Sequence, residues 1–227
     1  MASYASITEL KLQIDKTGST GTGDPANLQL LLDAATDAIN AYTNHPDGFV
    51  ALTNATARTY NGEGGPYQWI DECTAITLVE VKDSPTDSTY QAWAASDWVA
   101  FSGDPESPDF NRTPLTAIMV TPDGTYSHFT SGRFTTRRGF MPDTTVSRGT
   151  PTVRVTAKWG YATTCPQRVK EACIIQAARW FKRGESSWAD SMAPANFGTL
   201  MFTKVLDPDL ENILRLGRLV RPAVGRR

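Results

Sequence analysis

The residues that could do chemistry in this chain are few and scattered. The three cysteines are Cys73, Cys165 and Cys173, and the two histidines are His45 and His128. A nucleophilic thiol needs a base beside it, and a zinc site needs paired cysteine or histidine ligands. No CxxC pair exists, and no motif brings a histidine next to a thiol. The odd cysteine count in a chain of this length therefore predicts buried free thiols, made in a reducing cytoplasm.

Glycine-rich and acid-rich stretches offer no stronger site. Residues 61–65 are Asn-Gly-Glu-Gly-Gly, but they lack the Lys-Ser/Thr pair of a phosphate-binding loop and no helix follows, so we expect a tight hairpin. Asp104, Glu106 and Asp109 could offer oxygen ligands to calcium, yet the EF-hand pattern is absent, which favours a structural acidic loop. The sequence therefore predicts no catalytic residue, no metal and no cofactor, and a protein that is not an enzyme.

The six tryptophans are compatible with a carbohydrate-binding β module, because aromatic faces stack on sugars. Core packing is the favoured interpretation, since Trp159 and Trp180 fall on predicted core faces, while Trp93 and Trp98 flank the start of a strand. A β-rich carbohydrate-binding accessory protein is kept as an alternative.

Charge is nearly balanced, with a formal net charge of −2. A protein that grips nucleic acid usually has a basic excess, so the sequence favours at most a surface past which DNA slides. The last twelve residues, Leu216 to Arg227, contain four arginines and no acid. This basic tail could contact nucleic acid, bind an acidic groove on a protein partner, or be disordered. Its charge alone does not distinguish these alternatives.

Helical signals occupy both ends of the chain. Ser6 and Glu9 form a capping box that opens a helix to about Lys16, and Asp24-Pro25 opens a longer amphipathic helix that ends near Asn44. Cys165-Pro166 opens a third helix to about Lys182, with Gly184 expected as its C-cap. Asp207-Pro208 opens a last short helix to about Arg215.

The middle of the chain is rich in threonine, valine, aromatics and turn residues, which is typical of strands. Residues 131–149 carry several arginines without periodicity and are expected to form an exposed loop or hairpin tip. The strand candidates are Phe49 to Tyr60, Tyr67 to Ile70, Ala75 to Val81, Asp97 to Phe101, Leu115 to Val120 and Thr152 to Trp159.

This order of elements predicts an α+β fold, in which the N- and C-terminal helices pack together as a small bundle, with a strand-rich antiparallel β insertion between them in the chain. The expected parts are residues 1–47 and 161–217 for the helical domain, 48–160 for the β insertion, and 218–227 for the basic tail. No segment approaches the about 20 apolar residues of a membrane span, and no signal peptide opens the chain, so no membrane partner is expected.

Four stretches of the sequence, taken together and in this order along the chain, form a recognisable pattern. They are residues 4–11 with the helix of residues 28–42; residues 57–62 followed by 76–83; the strand 153–161, which ends in Trp-Gly-Tyr, followed by Cys165-Pro166 and the helical residues 169–172 and 179–183; and residues 206–210 with Leu214 and Arg215. In this order they resemble the head-to-tail connector (adaptor) family of tailed phages, whose first β-hairpin is similar to residues 57–83. The third stretch is the most specific.

The resemblance implies a structural virion protein that forms a ring of twelve subunits beneath the portal, links capsid to tail and lines the DNA channel. It implies as partners the portal protein, a stopper or tail-completion protein, other copies of the chain, and packaged DNA that passes without sequence-specific binding. The virion neck is the expected location, after assembly in the host cytoplasm. Another neck or tail component, such as a stopper or tail terminator, is the alternative.

Two hypotheses follow from the resemblance. The first is that the C-terminal segment, about Asp207 to Arg227, inserts between portal subunits; the second is that the β insertion lies on the tail side or the exterior. The expected portal-binding residues are Leu210, Ile213, Leu214, Arg215, Arg218, Arg221, Arg226 and Arg227.

Overall fold

A computed structural model describes residues 3–16, 24–134, 148–185, 191–192, 200–201 and 207–221. Within these ranges the fold is α+β, as predicted, with four helices and a seven-stranded antiparallel sheet. The chain divides into two compact units. The helical unit comprises Met1–Phe49 and Cys165–Arg227, and the β unit comprises Val50–Thr164.

The helical unit contains α1 (Ile7–Lys16), α2 (Pro25–Thr43), α3 (Gln167–Glu185) and α4 (Pro208–Leu216), together with the short antiparallel pair β10 (Ser191–Met192) and β11 (Leu200–Met201). α3 contacts each of the other three helices. Complete burial of a large aliphatic side chain stabilises a fold by about 1.5–3 kcal/mol. Among the described residues of this unit, the fully buried leucine and isoleucine side chains are Leu10, Ile14, Leu28, Leu32, Ile39, Leu210 and Leu214.

The predicted helix starts are confirmed at atomic detail. The Ser6 amide donates to Glu9 Oε2 at 2.9 Å, and the Glu9 amide donates to Ser6 Oγ at 3.3 Å, which completes the capping box. Asp24 caps α2 by accepting the Ala26 amide at 3.2 Å. The same signature recurs at α4, where the Asp207 side chain accepts the amide of Asp209 at 2.8 Å.

The helix ends follow their local signals less closely. α2 ends as predicted, with Asn44 in the left-handed region at φ 58°. α3, however, runs through Gly184 to Glu185, so the prediction that Gly184 is its C-cap is wrong. An interior glycine costs only about 1 kcal/mol. The apolar face of α3, packed against three helices, offsets that cost and carries the helix past Gly184.

The β unit contains nine strands, listed here in chain order and all within the described ranges: β1 (Thr56–Asn61), β2 (Tyr67–Val81), β3 (Gln91–Ala92), β4 (Trp98–Asp104), β5 (Ser107–Asp109), β6 (Leu115–Val120), β7 (Arg133–Phe134), β8 (Arg148–Gly149) and β9 (Pro151–Trp159). The order across the main sheet is β1-β9-β2-β6-β4-β5, and β3 pairs with β2. β7 and β8 form a separate antiparallel pair, and residues 135–147 of the predicted loop or hairpin tip lie outside the described residues.

The expected tight hairpin at residues 61–65 is wrong, because β9 lies between β1 and β2. The same finding overturns a β-hairpin over residues 57–83. The loop bonds instead to distant segments: the Gly62 amide donates to Thr152 Oγ1 at 3.0 Å, and the Gly132 amide donates to the Gly62 carbonyl at 2.8 Å. A Cβ added at Gly62 would lie 1.8 Å from the Thr130 carbonyl oxygen, so only glycine fits there.

Two strand boundaries also differ from the predictions. The strand predicted over Phe49 to Tyr60 begins only at Thr56, because the preceding residues bond to the end of β9 and the turn after it; the Leu52 amide, for example, donates to the Trp159 carbonyl at 2.8 Å. The two strands predicted within residues 67–81 form one continuous β2. β2 pairs with β6 up to Cys73 and with β9 from Cys73 onward, so the polar interruption in the pattern marks a change of partner.

One face of the sheet carries the core of the β unit. Its aromatic part is a stack, in which Trp93 lies parallel to Tyr126 at 4.2 Å and packs on Phe129 at 5.0 Å. The buried members of this core are Cys73, Val79, Val81, Trp93, Ile118, Val120, Phe129, Val153, Val155, Ala157 and Trp159.

Candidate functional site

The predicted portal-binding residues begin on α4, and the buried face of this helix holds it in the helical unit. Leu210 and Leu214 are fully buried, so in this conformation their side chains serve the core of the unit. At the start of the helix, Asp207 forms an ion pair with Arg179 at 3.1 Å, and its amide donates to Gln176 Oε1 at 3.2 Å. α4 is therefore a docked element of the unit.

The opposite side of α4 and its C-terminal end are accessible. Ile213 is half-buried, while Arg215 and Arg218 are exposed. The Arg215 Nε donates to the Tyr42 hydroxyl at 3.2 Å, which orients the guanidinium over the end of α2. Leu216 is 81% exposed, so an apolar side chain lies between these two cations. It was missing from the residues predicted from sequence, although its position outside the apolar stripe of α4 signals its exposure.

The chain after α4 turns back on the helix in a Schellman motif. The Leu219 amide donates to the Leu214 carbonyl at 3.1 Å, and the Arg218 amide donates to the Arg215 carbonyl at 3.0 Å. Arg218 takes the left-handed position at φ 54°, one residue after Gly217. Leu219 is buried, as the hydrophobic residue of this motif usually is.

Residues 219–221 continue toward the end of α2. The Arg221 amide donates to the Thr43 carbonyl at 3.1 Å. His45 lies against the same carbonyl, and burial together with the charge of Arg221 lowers the pKa of His45 to about 4. His45 is therefore neutral near pH 7. Arg226 and Arg227 lie outside the described residues, so the accessible predicted residues are Ile213, Arg215, Arg218 and part of Arg221, and the exposed Leu216 adds to this surface.

The side chains considered for chemistry include the three thiols and the exposed histidine His128. All three cysteines are free thiols, as predicted, and Cys73 and Cys173 are buried, whereas Cys165 is only half-buried. Burial raises the pKa of Cys73 to about 12 and that of Cys165 to about 11, opposite to the change that activates a nucleophilic thiol. His128 is exposed, and its Nδ1 lies 2.9 Å from Ser127 Oγ.

The acidic loop between β4 and β5 uses its carboxylates in turns. Asp104 accepts the Glu106 amide at 3.0 Å, and Asp109 accepts the Asn111 amide at 3.0 Å. Among the described residues, no group of three histidine, cysteine or acidic side chains is placed to hold a metal ion.

The tryptophans serve mainly in packing where the structure describes them. Trp159 is fully buried and donates its indole N–H to the Thr56 carbonyl at 2.7 Å, and Trp93 is buried in the aromatic stack. Trp98 and Trp180 are half-buried, whereas Trp69 is exposed.

None of the helices in the described ranges is sufficiently long and apolar to pass through a lipid bilayer.

Comparison with known proteins gives a fold likeness without a family. No protein-family model matches the chain, and no curated protein matches it. The chain is similar to one in a solved structure, the neck of an empty GTA particle computed with C6 symmetry, with a TM-score of 0.50 and 16% sequence identity. The likeness covers 97% of this chain and 92% of that chain. At this identity it shows a shared fold.

Proposed function

We propose that the chain is a structural protein of a phage or phage-like virion neck, the head-to-tail connector that joins the portal to the tail. The observation that carries the proposal is the fold likeness to a chain of a GTA particle neck, which extends over nearly the full length of both chains. The resemblance of residues 153–183 to the connector family points to the same place in the virion.

The neck role requires a ring, and we infer that the chain forms one from identical subunits, twelve by the family resemblance. A ring forms when two different faces of one subunit meet repeatedly with a rotation that closes. The similar neck was computed with C6 symmetry, and twelve is a multiple of six. We assign ring formation to the helices, and the tail side or the exterior of the ring to the β unit.

The ring would surround the DNA channel without catalysing a reaction. Near-neutral net charge suits a conduit, because many phosphate contacts would retain the genome in the head. The raised pKa values of the buried Cys73 and the half-buried Cys165 support a non-enzymatic role.

Portal contact is assigned to the accessible end of α4 and the basic tail. Arg215 and Arg218 flank the exposed Leu216, so this surface offers two cations around one apolar side chain. A cleft between portal subunits that binds it should combine apolar and acidic groups. A stopper or tail-completion protein would then bind the opposite side of the ring.

The test is disruption of the gene in the phage or prophage that encodes it. We expect unjoined particles: heads without tails, whether or not they have kept their DNA, and separate finished tails. Complete particles should form again when the gene is supplied in trans. Cryo-electron microscopy of complete particles should place the chain directly against the portal. Its density one ring further away would favour the stopper alternative, and joined particles without the chain would overturn the neck function.

A glycan array tests the remaining alternative. Clear sugar binding by the purified chain, together with its absence from necks, would favour a carbohydrate-binding accessory protein.

A further inference from the structure

The outer face of α2 is an exposed surface opposite the buried stripe of this helix. Its residues follow the alternating three- and four-residue spacing that places side chains on one side of a helix. Leu30 is 68% exposed, an unusual position for a leucine in the middle of a well-packed helix. The outer face of α2 consists of Asn27, Leu30, Ala34, Asp37 and Ala41, all exposed.

All the charged side chains of α2 are negative. The helix contains two acidic residues, Asp33 and Asp37, and no lysine or arginine. Asp33 accepts a hydrogen bond from Gln29 at 2.9 Å. Asp37 has no basic partner among the residues that the structure describes, so its charge is available to another molecule.

The outer face of α3 carries two cations, Arg168 and Lys182, and one acid, Glu171, so its net charge is positive. It consists of Arg168, Glu171, Ile175, Ala178 and Lys182, again at alternating spacings of three and four; all but Ala178 are exposed or half-buried. Two other cations of α3 are paired within the chain, Lys170 with Glu9 and Arg179 with Asp207. Arg168 and Lys182 have no carboxylate partner in the described part of the chain.

We propose that the outer face of α2 in one copy packs against the outer face of α3 in the next copy, and that this contact closes the ring. The inference rests on the proposed ring function and names the two faces that build it. The occupant is a second copy because the chain itself carries both halves, one face with net negative and one with net positive charge, on two helices of nineteen residues each. The alanines of both faces permit the helix separation of about 8–10 Å at which side chains interlock.

The charges also disfavour the pairing of two α2 faces across a two-fold axis. Two α2 faces brought together would place Asp37 near its own copy, and like charges across an interface oppose association. A contact between different faces instead repeats in one rotational direction and can close.

The test uses the full-length chain with charge reversals on each face. Asp37→Lys and Lys182→Asp should each raise the concentration at which half of the chains are in rings at least tenfold, measured by mass photometry and native mass spectrometry. The double variant Asp37→Lys with Lys182→Asp should recover most of the assembly, because it exchanges the two charges. Asp15→Lys, the same change at an exposed position of α1, is the matched control and should assemble like the wild type.

A steric variant keeps the test independent of charge. Ala34→Trp should block assembly at any ionic strength, while circular dichroism shows an unchanged melting curve, because the side chain is exposed in the single chain.

The outcomes of these experiments distinguish a failure of the interface from a failure of the neck function. Wild-type rings with no effect of the reversals, or no recovery in the double variant, would overturn the interface alone. A wild-type chain that stays monomeric even on portal-bearing heads would overturn the ring function and the interface with it.

Discussion

His45 and Arg221 donate hydrogen bonds to the same acceptor, the carbonyl oxygen of Thr43, at 3.0 Å and 3.1 Å. The His45 ring does so through Nδ1, which must carry the proton because a carbonyl only accepts. The shared oxygen ties the residues after α4 to the end of α2, two segments that are remote in the sequence. The base of the predicted portal-binding tail is therefore part of the folded helical unit.

The first prediction concerns acid stability. Burial and the Arg221 charge lower the pKa of His45 from 6.5 to about 4, so between these values the unfolded chain binds a proton that the folded chain does not. The stabilisation is fully present above about pH 6.5 and is lost as pH falls toward 4, by roughly 3 kcal/mol in total. His45→Asn should flatten the dependence of unfolding free energy on pH in this window, measured by urea denaturation. His128→Asn, at the exposed histidine, is the control, and an equal flattening there would contradict the assignment.

The second prediction concerns the loop between β1 and β2. Gly62→Ala should destabilise the chain by at least about 2 kcal/mol, because its Cβ would collide with the Thr130 backbone. Gly65→Ala should be close to neutral, since no atom lies within 4 Å of a Cβ added there. Thermal melting of the two variants makes the comparison, and similar melting temperatures would show that the loop is free to move aside.

The third prediction concerns the end of α4. Arg218→Gly should stabilise the chain by about 1 kcal/mol, because glycine adopts the left-handed conformation without steric cost. Arg215→Gly, three residues earlier and inside the helix, should destabilise it by about 0.5–1 kcal/mol. Chemical denaturation separates the two, and a loss of stability in both would indicate that the Arg218 side chain contributes more than its backbone costs.

The fourth prediction concerns portal binding. Removal of residues 217–227 would also remove the buried Leu219 and the Arg221–Thr43 hydrogen bond, so that truncation changes the fold as well as the tail. Removal of residues 222–227 leaves both contacts in place. Combined with Arg215→Glu and Arg218→Glu, it should abolish co-purification with the portal and leave the melting temperature nearly unchanged. Portal binding at the wild-type level would exclude this segment as the portal contact.

The division between local and distant information is clearest at α4. The Asp207-Pro208 pair predicts the start of this helix, because a cap and a proline act within one turn. Which of its residues are accessible depends on α3 and on the chain after Leu216. Leu210 and Leu214 turn inward, while Leu216 was overlooked and is exposed. Sequence patterns alone therefore predict the portal-binding site only as a segment of the chain. Tertiary packing determines which side chains of that segment are accessible.

The same division between local and distant information applies to the sheet. The alternation in residues 152–159 predicts a half-buried strand, because side chains of a strand alternate between its faces. Strand order has no such local signal, since pairing joins residues far apart in sequence: Thr59 lies opposite Arg154, and β9 separates two strands that adjoin in the chain. The sequence by itself determined the α+β class, the capped helix starts and most strands, all of which depend on interactions within a few residues. The tertiary structure decided the strand order, the passage of α3 through Gly184, and the exposed faces of α2 and α4, because these depend on which distant surfaces are buried together.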